Sequence, residues 1–421
     1  MTRHTVVMVA TSYPRFPGDT IGTFMEPIAR GVASRGHQVH VVLPWHPRLQ
    51  RHGDQDGIHF HVFRYAPLAG LNVFGYAGSL EEDVRLRLSA YAVAPLALTS
   101  AWITARAVAR RVGATMMHGH WVIPGGAIAA AAAGRLPLVI SLHGSDVYVA
   151  EKHLAARLAA RAAFARAGFV TACSDDLRRR AVALGAAPDR SETVPYGVDA
   201  DRFRPDPDRR ARRRRLLEVD DTQPLLFAAG RFVRKKGFEY LIDAVARLAP
   251  NWPQLVLAIG GGGDLDAELR DRARARGVAD RLRFVGVLSH DEVAEYLAAA
   301  DVAVVPSVRD DAGNVDGLPN VVMEALSSGT PLVATTAGGI AAVVDDGRTA
   351  LLVPERDEAA LADALGRLLS APEARRLIGG AARQEAMRSH SWARVAERFE
   401  AAYEQARAWR SCPSNSRRAM V

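Results

Sequence analysis

Residues 224–248 read PLLFAAGRFVRKKGFEYLIDAVARL. Pro224–Ala229 is apolar and has the length of a buried strand, and Gly237–Leu248 has the pattern of a helix. Between them lies a short basic turn that begins at Gly230. Strand, turn and helix in that order form the repeating unit of a parallel α/β sheet.

The same order extends in both directions. Downstream, Leu255–Ile259, Leu282–Val285, Val302–Pro306, Pro331–Ala334 and Ala350–Val353 read as short buried strands with helices between them. Upstream, Thr5–Ala10, Gln38–Leu43, Ile58–Tyr65, Met116–His118, Leu138–Ser141 and Phe169–Ala172 read as strands, with helices at Thr23–Arg35 and Gly126–Ala133. Pro195, Pro205, Pro207 and Pro224 interrupt the pattern around 195–222. The expected fold class is therefore α/β, with two Rossmann-like, doubly wound domains facing each other across a cleft. Their expected spans are 1–200 and 201–388, followed by a C-terminal helix at 389–410 and a disordered tail at 411–421. Open parallel sheets bind ligands beyond the carboxyl ends of their strands, so the cleft is the expected site.

The composition is that of a globular protein: 421 residues, 49% hydrophobic and 24% charged, enough for two or three domains of about 150 residues. The net charge of +8 is uneven, since residues 1–200 hold 21 Lys and Arg against 14 Asp and Glu, while 201–421 hold 33 against 32. A basic first lobe makes an anionic membrane surface a candidate partner. Nucleic acid is not expected, because the basic run Arg209–Arg215 has no interleaved aromatics and reads as a solvated helix. Cys173 and Cys412, far apart, support neither a disulfide framework nor a metal cluster, and a reducing compartment fits. The apolar run at the N-terminus is too short for a signal segment, which points to a cytoplasmic protein, peripheral on the inner membrane face if it docks there. The uncharged stretch Leu88–Ala105 reads as a largely buried helix pair broken near Pro95, in preference to a membrane span.

Two motifs carry chemistry. In the first, Arg231 and Lys236 follow a strand and precede a helix, where cations and backbone donors can bind a diphosphate. The chain has only three lysines, Lys152, Lys235 and Lys236. Of the adjacent pair, Lys235 is expected to be the solvated one. The second motif runs from Asp316 through Gly317, Leu318, Pro319, Asn320 and Val321 to Glu324. It places one carboxylate before a helix and one on it, suited to the hydroxyls of ribose or a sugar ring. Glu324, flanked by Met323, Ala325 and Leu326, is costly to bury without a partner.

GRFVRKKG together with DGLPNVVMEALSSGTPLVAT resembles glycosyltransferase family 4. GGIAAVVDDGRTALLVP, TSYPRFPGDTIGTF, HGHW, SLHGSD and VPYGVDADRF match further landmarks of that family, over essentially residues 5–405. The resemblance implies a GT-B fold and a retaining enzyme that moves a hexose from a UDP- or GDP-sugar to a saccharide or lipid-linked acceptor. The nucleotide sugar is then a substrate, and neither a cofactor nor a metal is expected. By the same resemblance, Arg231 and Lys236 stabilise the leaving diphosphate, Glu324 holds the ribose and Asp316 contacts the sugar. Backbone from Leu318 through Pro319 and Asn320 to Val321 caps the phosphates, and Gly22 lets its loop come close to the phosphate and acceptor. His120 contacts the sugar near the reaction centre, and the base lies near Gly286. The last helix is implied to cross back onto the first domain. His143 is a candidate for sugar or acceptor contact, and Asp146 either orients the acceptor or caps the following helix. His118 is read as structural. The sequence departs from the family pattern at Asp316, which stands where Glu is usual, and at Tyr196, Ala341 and Ala350.

Other classes remain open at this point. A nucleotide-sugar epimerase would share the fold but need no acceptor, and a non-catalytic binder of anionic lipid or nucleotide would share the basic lobe. Gly260–Gly263 could suggest a dinucleotide site, but the first strand is not followed by the glycine fingerprint of a dehydrogenase.

Overall fold

The computed structural model describes residues 2–412, apart from 20, 77–79, 82–84 and 87. The chain forms two compact units, Met1–Pro195 with Trp392–Val421, and Tyr196–Ser391. The tail expected to be disordered lies outside the described residues from 413 onward.

The first unit contains β1 (Thr5–Val9), β2 (Gln38–Pro44), β3 (Gly53–Gln55), β4 (Ile58–Phe63), β5 (Leu80–Glu81), β6 (Arg85–Leu86), β7 (Met116–His120), β8 (Leu138–Leu142), β9 (Phe169–Ala172) and β10 (Ser191–Thr193). Eight of these form one sheet in the order β10-β9-β8-β7-β1-β2-β4-β3, and only β3 runs antiparallel to its neighbour. Strand order reverses between β1 and β7, so the loops after these two strands diverge there and leave a crevice. Helix Trp392–Ser411 returns to this unit and packs on helix Met25–Ser34 and on β8 and β9. Its Phe399, Ala402, Tyr403 and Ala406 complete the core built by Val6, Met8, Val39 and Val41.

The second unit contains β11 (Leu225–Ala229), β12 (Val256–Gly260), β13 (Leu282–Phe284), β14 (Val302–Val305), β15 (Leu332–Thr335) and β16 (Leu351–Val353). All are parallel, in the order β13-β12-β11-β14-β15-β16. Numbered within the unit this is 3-2-1-4-5-6, the dinucleotide-fold order, with its switch point between β11 and β14. Both sequence motifs follow those two strands.

Close backbone approach explains the glycines at that point. Gly237 has φ +64°, and a Cβ there would lie 2.0 Å from the carbonyl oxygen of Pro306. Gly261 has φ +144°, and a Cβ on it would stand 1.9 Å from the Gly230 carbonyl oxygen. The glycine run 260–263 therefore packs the loop after β12 against the loop after β11.

Two expectations are corrected. Arg214, in the helix Pro207–Leu216, is 1% exposed instead of solvated. Its guanidinium bonds to the carbonyls of Ala299 and Asp220 and faces Asp301, so it ties the helix to the segment leading into the central strand β14. Its neighbour Arg210 pairs with Asp301 at 2.8 Å. Leu88–Arg111 is a single 24-residue helix that carries Pro95 within it, not a buried pair. Proline removes one backbone bond, and the Ala-rich turns after it sustain the helix. Only 33% of its apolar window is buried.

Replacing Gly237 by alanine should strain the turn and push on Pro306. Thermal denaturation should show a loss of about 2–4 kcal/mol, roughly 5–10 °C for a unit of this size.

Candidate active site

At the switch point of the second unit, β11 is followed by Gly230, which leaves room for a neighbouring side chain. A Cβ at Gly230 would meet Lys236 Cε at 3.2 Å and Cδ at 3.3 Å, so the lysine stem lies across the strand end. Lys236 Nζ stands 2.5 Å from Asp316 Oδ2, and Lys235 Nζ stands 3.2 Å from Asp316 Oδ1. The Asp316 side chain is 14% exposed. Burial alone would raise its pKa, but the two ammoniums outweigh it and hold the carboxyl well below the usual carboxylate range.

The expectation for Lys235 is thereby corrected. It is buried, because the three-residue turn Arg234–Lys236 tucks it under the next loop. Its carbonyl also accepts the Val308 N–H at 2.9 Å. Arg231, which directly follows Gly230, is exposed.

Asp316 is fixed from behind as well. Gly338 has φ +61°, and a Cβ there would lie 2.0 Å from the Asp316 carbonyl oxygen. The Gly338–Gly339 pair after β15 thus seats the Asp316 loop. Pro319 precedes helix Asn320–Ser328 and brings no side-chain cap to its first turn. That start presents the backbone of Asn320 and Val321 next to the lysine–aspartate cluster, and Leu318 is buried beneath it. Glu324 lies one turn along and is buried. Burial pushes its pKa up to about 7, while Arg202 and Lys236 pull it the other way. His290 Nε2 lies 3.9 Å from Glu324 Oε1. Ser327 Oγ donates to the Phe203 carbonyl at 2.7 Å, which holds the segment bearing Arg202 against this helix. Gly286, after β13, has φ +76° and open space where a side chain would be, and its carbonyl accepts the Gly261 N–H at 2.7 Å.

At the switch point of the first unit, His118, His120 and His143 form a contact series. His118 bonds Tyr403 Oη at 2.9 Å and Ser141 Oγ at 2.7 Å, and Ser141 Oγ contacts Thr171 Oγ1 at 2.7 Å. His120 Nδ1 is 3.0 Å from His143 Nε2. Burial lowers His120 to about 3 and keeps His118 and His143 well below their ordinary value, so all three imidazoles are neutral near pH 7. His120 has no exposed surface, and it stands between His118 and His143. The outer member is His143, half-buried beneath Phe24 (4.6 Å between ring centroids) and Trp121 (4.9 Å). Trp121 itself holds φ +61°, an uncommon backbone angle for a side chain of its size.

Asp146 neither caps its own helix in the usual way nor faces outward. It is buried and accepts the Val122 N–H at 2.7 Å and the Gly144 N–H at 3.0 Å, clamping the loop after β7 to the loop after β8. Burial raises its carboxyl to about 6 against those hydrogen bonds. Gly22 has φ +62°, and a Cβ on it would press on Ser12 Oγ at 2.9 Å, so it allows the loop after β1 to fold back on itself.

Two parallel α/β units, each with its chemistry-bearing residues at the strand-order reversal, match the GT-B architecture of solved glycosyltransferases. Sucrose-phosphate synthase of Thermosynechococcus elongatus superposes with a TM-score of 0.76 at 21% identity, covering 96% of this chain and 100% of that one. HepE of Anabaena in complex with UDP gives 0.72 at 19%, covering 95% and 99%.

Residues 21–202 match the family model "Glycosyltransferase Family 4", and residues 209–385 match "Glycosyl transferases group 1". A GDP-mannose-dependent alpha-(1-6)-phosphatidylinositol monomannoside mannosyltransferase of Mycolicibacterium smegmatis is 36% identical over 63% of this chain and 70% of its own length. A D-inositol 3-phosphate glycosyltransferase of Geodermatophilus obscurus is 38% identical over 55% of this chain, which spans about half (51%) of that relative. The chain belongs to glycosyltransferase family 4 and is a glycosyltransferase.

Glu324 gives a test with a defined sign. Its folded carboxyl titrates near 7 against an ordinary value of 4.5. The unfolded chain therefore releases this proton first as pH rises, and stability falls between those two values by on the order of 3 kcal/mol. Glu324→Gln should remove that loss: relative to the parent, its melting temperature should be higher at pH 8 than at pH 5. Equal differences at the two pH values would contradict a buried, proton-holding Glu324.

Proposed function

We propose that the second unit binds a nucleoside diphosphate hexose and that the enzyme transfers the hexose, with retention and without a metal ion, to a saccharide or lipid-linked acceptor. The observation that carries this reading is the pair of ammoniums on Asp316 at the β11/β14 switch point, beside the Arg231 turn and an uncapped helix start. Charge accumulates on the diphosphate as the sugar leaves. Preorganised cations and N–H groups lower that barrier in the role a divalent ion would otherwise fill. The name of the mannosyltransferase relative makes GDP-mannose the first donor to try and an inositol-bearing lipid the first acceptor.

A nucleotide-sugar panel read by thermal shift, then product mass spectrometry, tests this. Arg231→Ala and Lys236→Ala should each reduce turnover by about 100-fold or more, given charge-assisted bonds of roughly 1.5–3 kcal/mol whose loss is felt most in the transition state. EDTA should leave turnover unchanged. Inversion of the donor sugar in the absence of acceptor would indicate an epimerase instead.

The apolar helix of the first unit favours a lipid surface as the place of work. Leu96 (58% exposed), Trp102 (39%) and Ile103 (54%) face outward, and Arg106 and Arg110 follow on the same helix. Helix Leu154–Arg166, which packs on the same neighbouring helix Ala127–Ala133, exposes Leu154 and Leu158 beside Arg157 and Arg161. Apolar residues bordered by arginines complement an anionic bilayer. Flotation with phosphatidylglycerol vesicles should carry the protein, and phosphatidylcholine vesicles should carry much less. Leu96→Asp with Ile103→Asp should abolish the difference, while self-association without flotation would assign the face to a second copy of the chain.

A further inference from the structure

A diphosphate site built from Arg231 and Lys236 has no evident need of Lys235, yet the fold buries that residue and directs it at Asp316. Lys235 and Lys236 take one carboxylate oxygen each, at 3.2 and 2.5 Å. Lys236 is the more open of the two, with its stem over Gly230, whereas Lys235 is enclosed and its carbonyl is bonded to Val308. For Lys236 to take a phosphate oxygen, it must loosen its hold on Asp316. A buried carboxylate deprived of its cation is strongly disfavoured, and here it would also repel the incoming diphosphate.

We propose that Lys235 is a positioning residue that frees Lys236 for the donor. By keeping Asp316 neutralised, it lets the Lys236 ammonium turn to the diphosphate without leaving an unpaired charge behind. Lys235 acts through Asp316 and does not touch the donor. Two lysines on one aspartate thus form a relay in which one remains and the other moves. This inference rests on the donor-binding reading above.

A double-mutant cycle tests it, with calorimetric binding of GDP and UDP and steady-state kinetics for the donor chosen by the panel. Lys235→Met should weaken nucleoside diphosphate binding and raise the donor KM by about 10- to 100-fold, with a smaller change in kcat. Lys235→Arg should restore most of the loss. In an Asp316→Asn background, which leaves no buried carboxylate to neutralise, Lys235→Met should cost less than about threefold. Unchanged binding by Lys235→Met in the native background would overturn the proposal. An equal loss in both backgrounds would do the same, because Lys235 would then act on the ligand or only on the fold. Melting curves accompany each variant. If Lys235→Met alone fails to fold, the double variant is expected to fold, and its failure would also count against the relay. Parent protein that binds neither GDP nor UDP would refute the donor reading itself, an outcome separable from the others.

Discussion

The buried carboxylate of Asp316 between two ammoniums sets the geometry of the second unit's site. An ionised group at that depth is tolerated only with close countercharge, so the loops after β11 and β14 must meet. The glycines make that meeting possible. Gly230 gives space to the Lys236 stem, Gly237 lets the turn contact Pro306, and Gly338 admits the Asp316 carbonyl from the other side. Each of these would meet backbone or a charged stem if it carried a Cβ. The strand order then places the cluster where the two loops diverge, which is where an open parallel sheet leaves room for a ligand.

The first unit places neutral imidazoles at its own strand-order reversal. Its histidines are neutral and fixed by Ser141, Thr171 and Tyr403, and Asp146 spends both oxygens on backbone N–H groups. Tyr403 comes from the C-terminal helix, more than 280 residues after His118 in sequence. The returning helix therefore belongs to the support of this crevice as well as to the core. Imidazole and indole thus line the first unit's crevice, and the lysine–carboxylate cluster lies at the switch point of the second.

Much of this was legible in the sequence, and the parts that were not have physical reasons. Strand–turn–helix units were readable because buried parallel strands are short continuous apolar runs, and β9 at Phe169–Ala172 appears where its apolar run lies. Arg231, Lys236, Asp316 and Glu324 stood out because charges at strand ends and on an apolar helix face need an explanation. Lys235 was misread because two adjacent lysines look alike until a turn decides which one is buried. The relative depth of His120 and His143 was hidden for a similar reason: one closes a strand and the other follows one, but only the packing of Phe24 and Trp121 shows which is outermost. Arg214 was assigned to solvent because an arginine-rich helix gives no sequence sign of the carbonyls that one of its members will meet. His290 carried no motif and Arg202, though inside VPYGVDADRF, had no role of its own there; both come near Glu324 only through tertiary packing.

The aspartate at 316 gains meaning from this arrangement. Where the family usually has glutamate, the shorter side chain keeps its carboxylate close to the main chain, among the lysines and 14% exposed. A carboxylate held there is occupied with cations and has little surface left for sugar hydroxyls. The exchange of glutamate for aspartate and the burial of a second lysine thus act together: the acid is drawn back, and Lys235 supplies the countercharge that its new position demands.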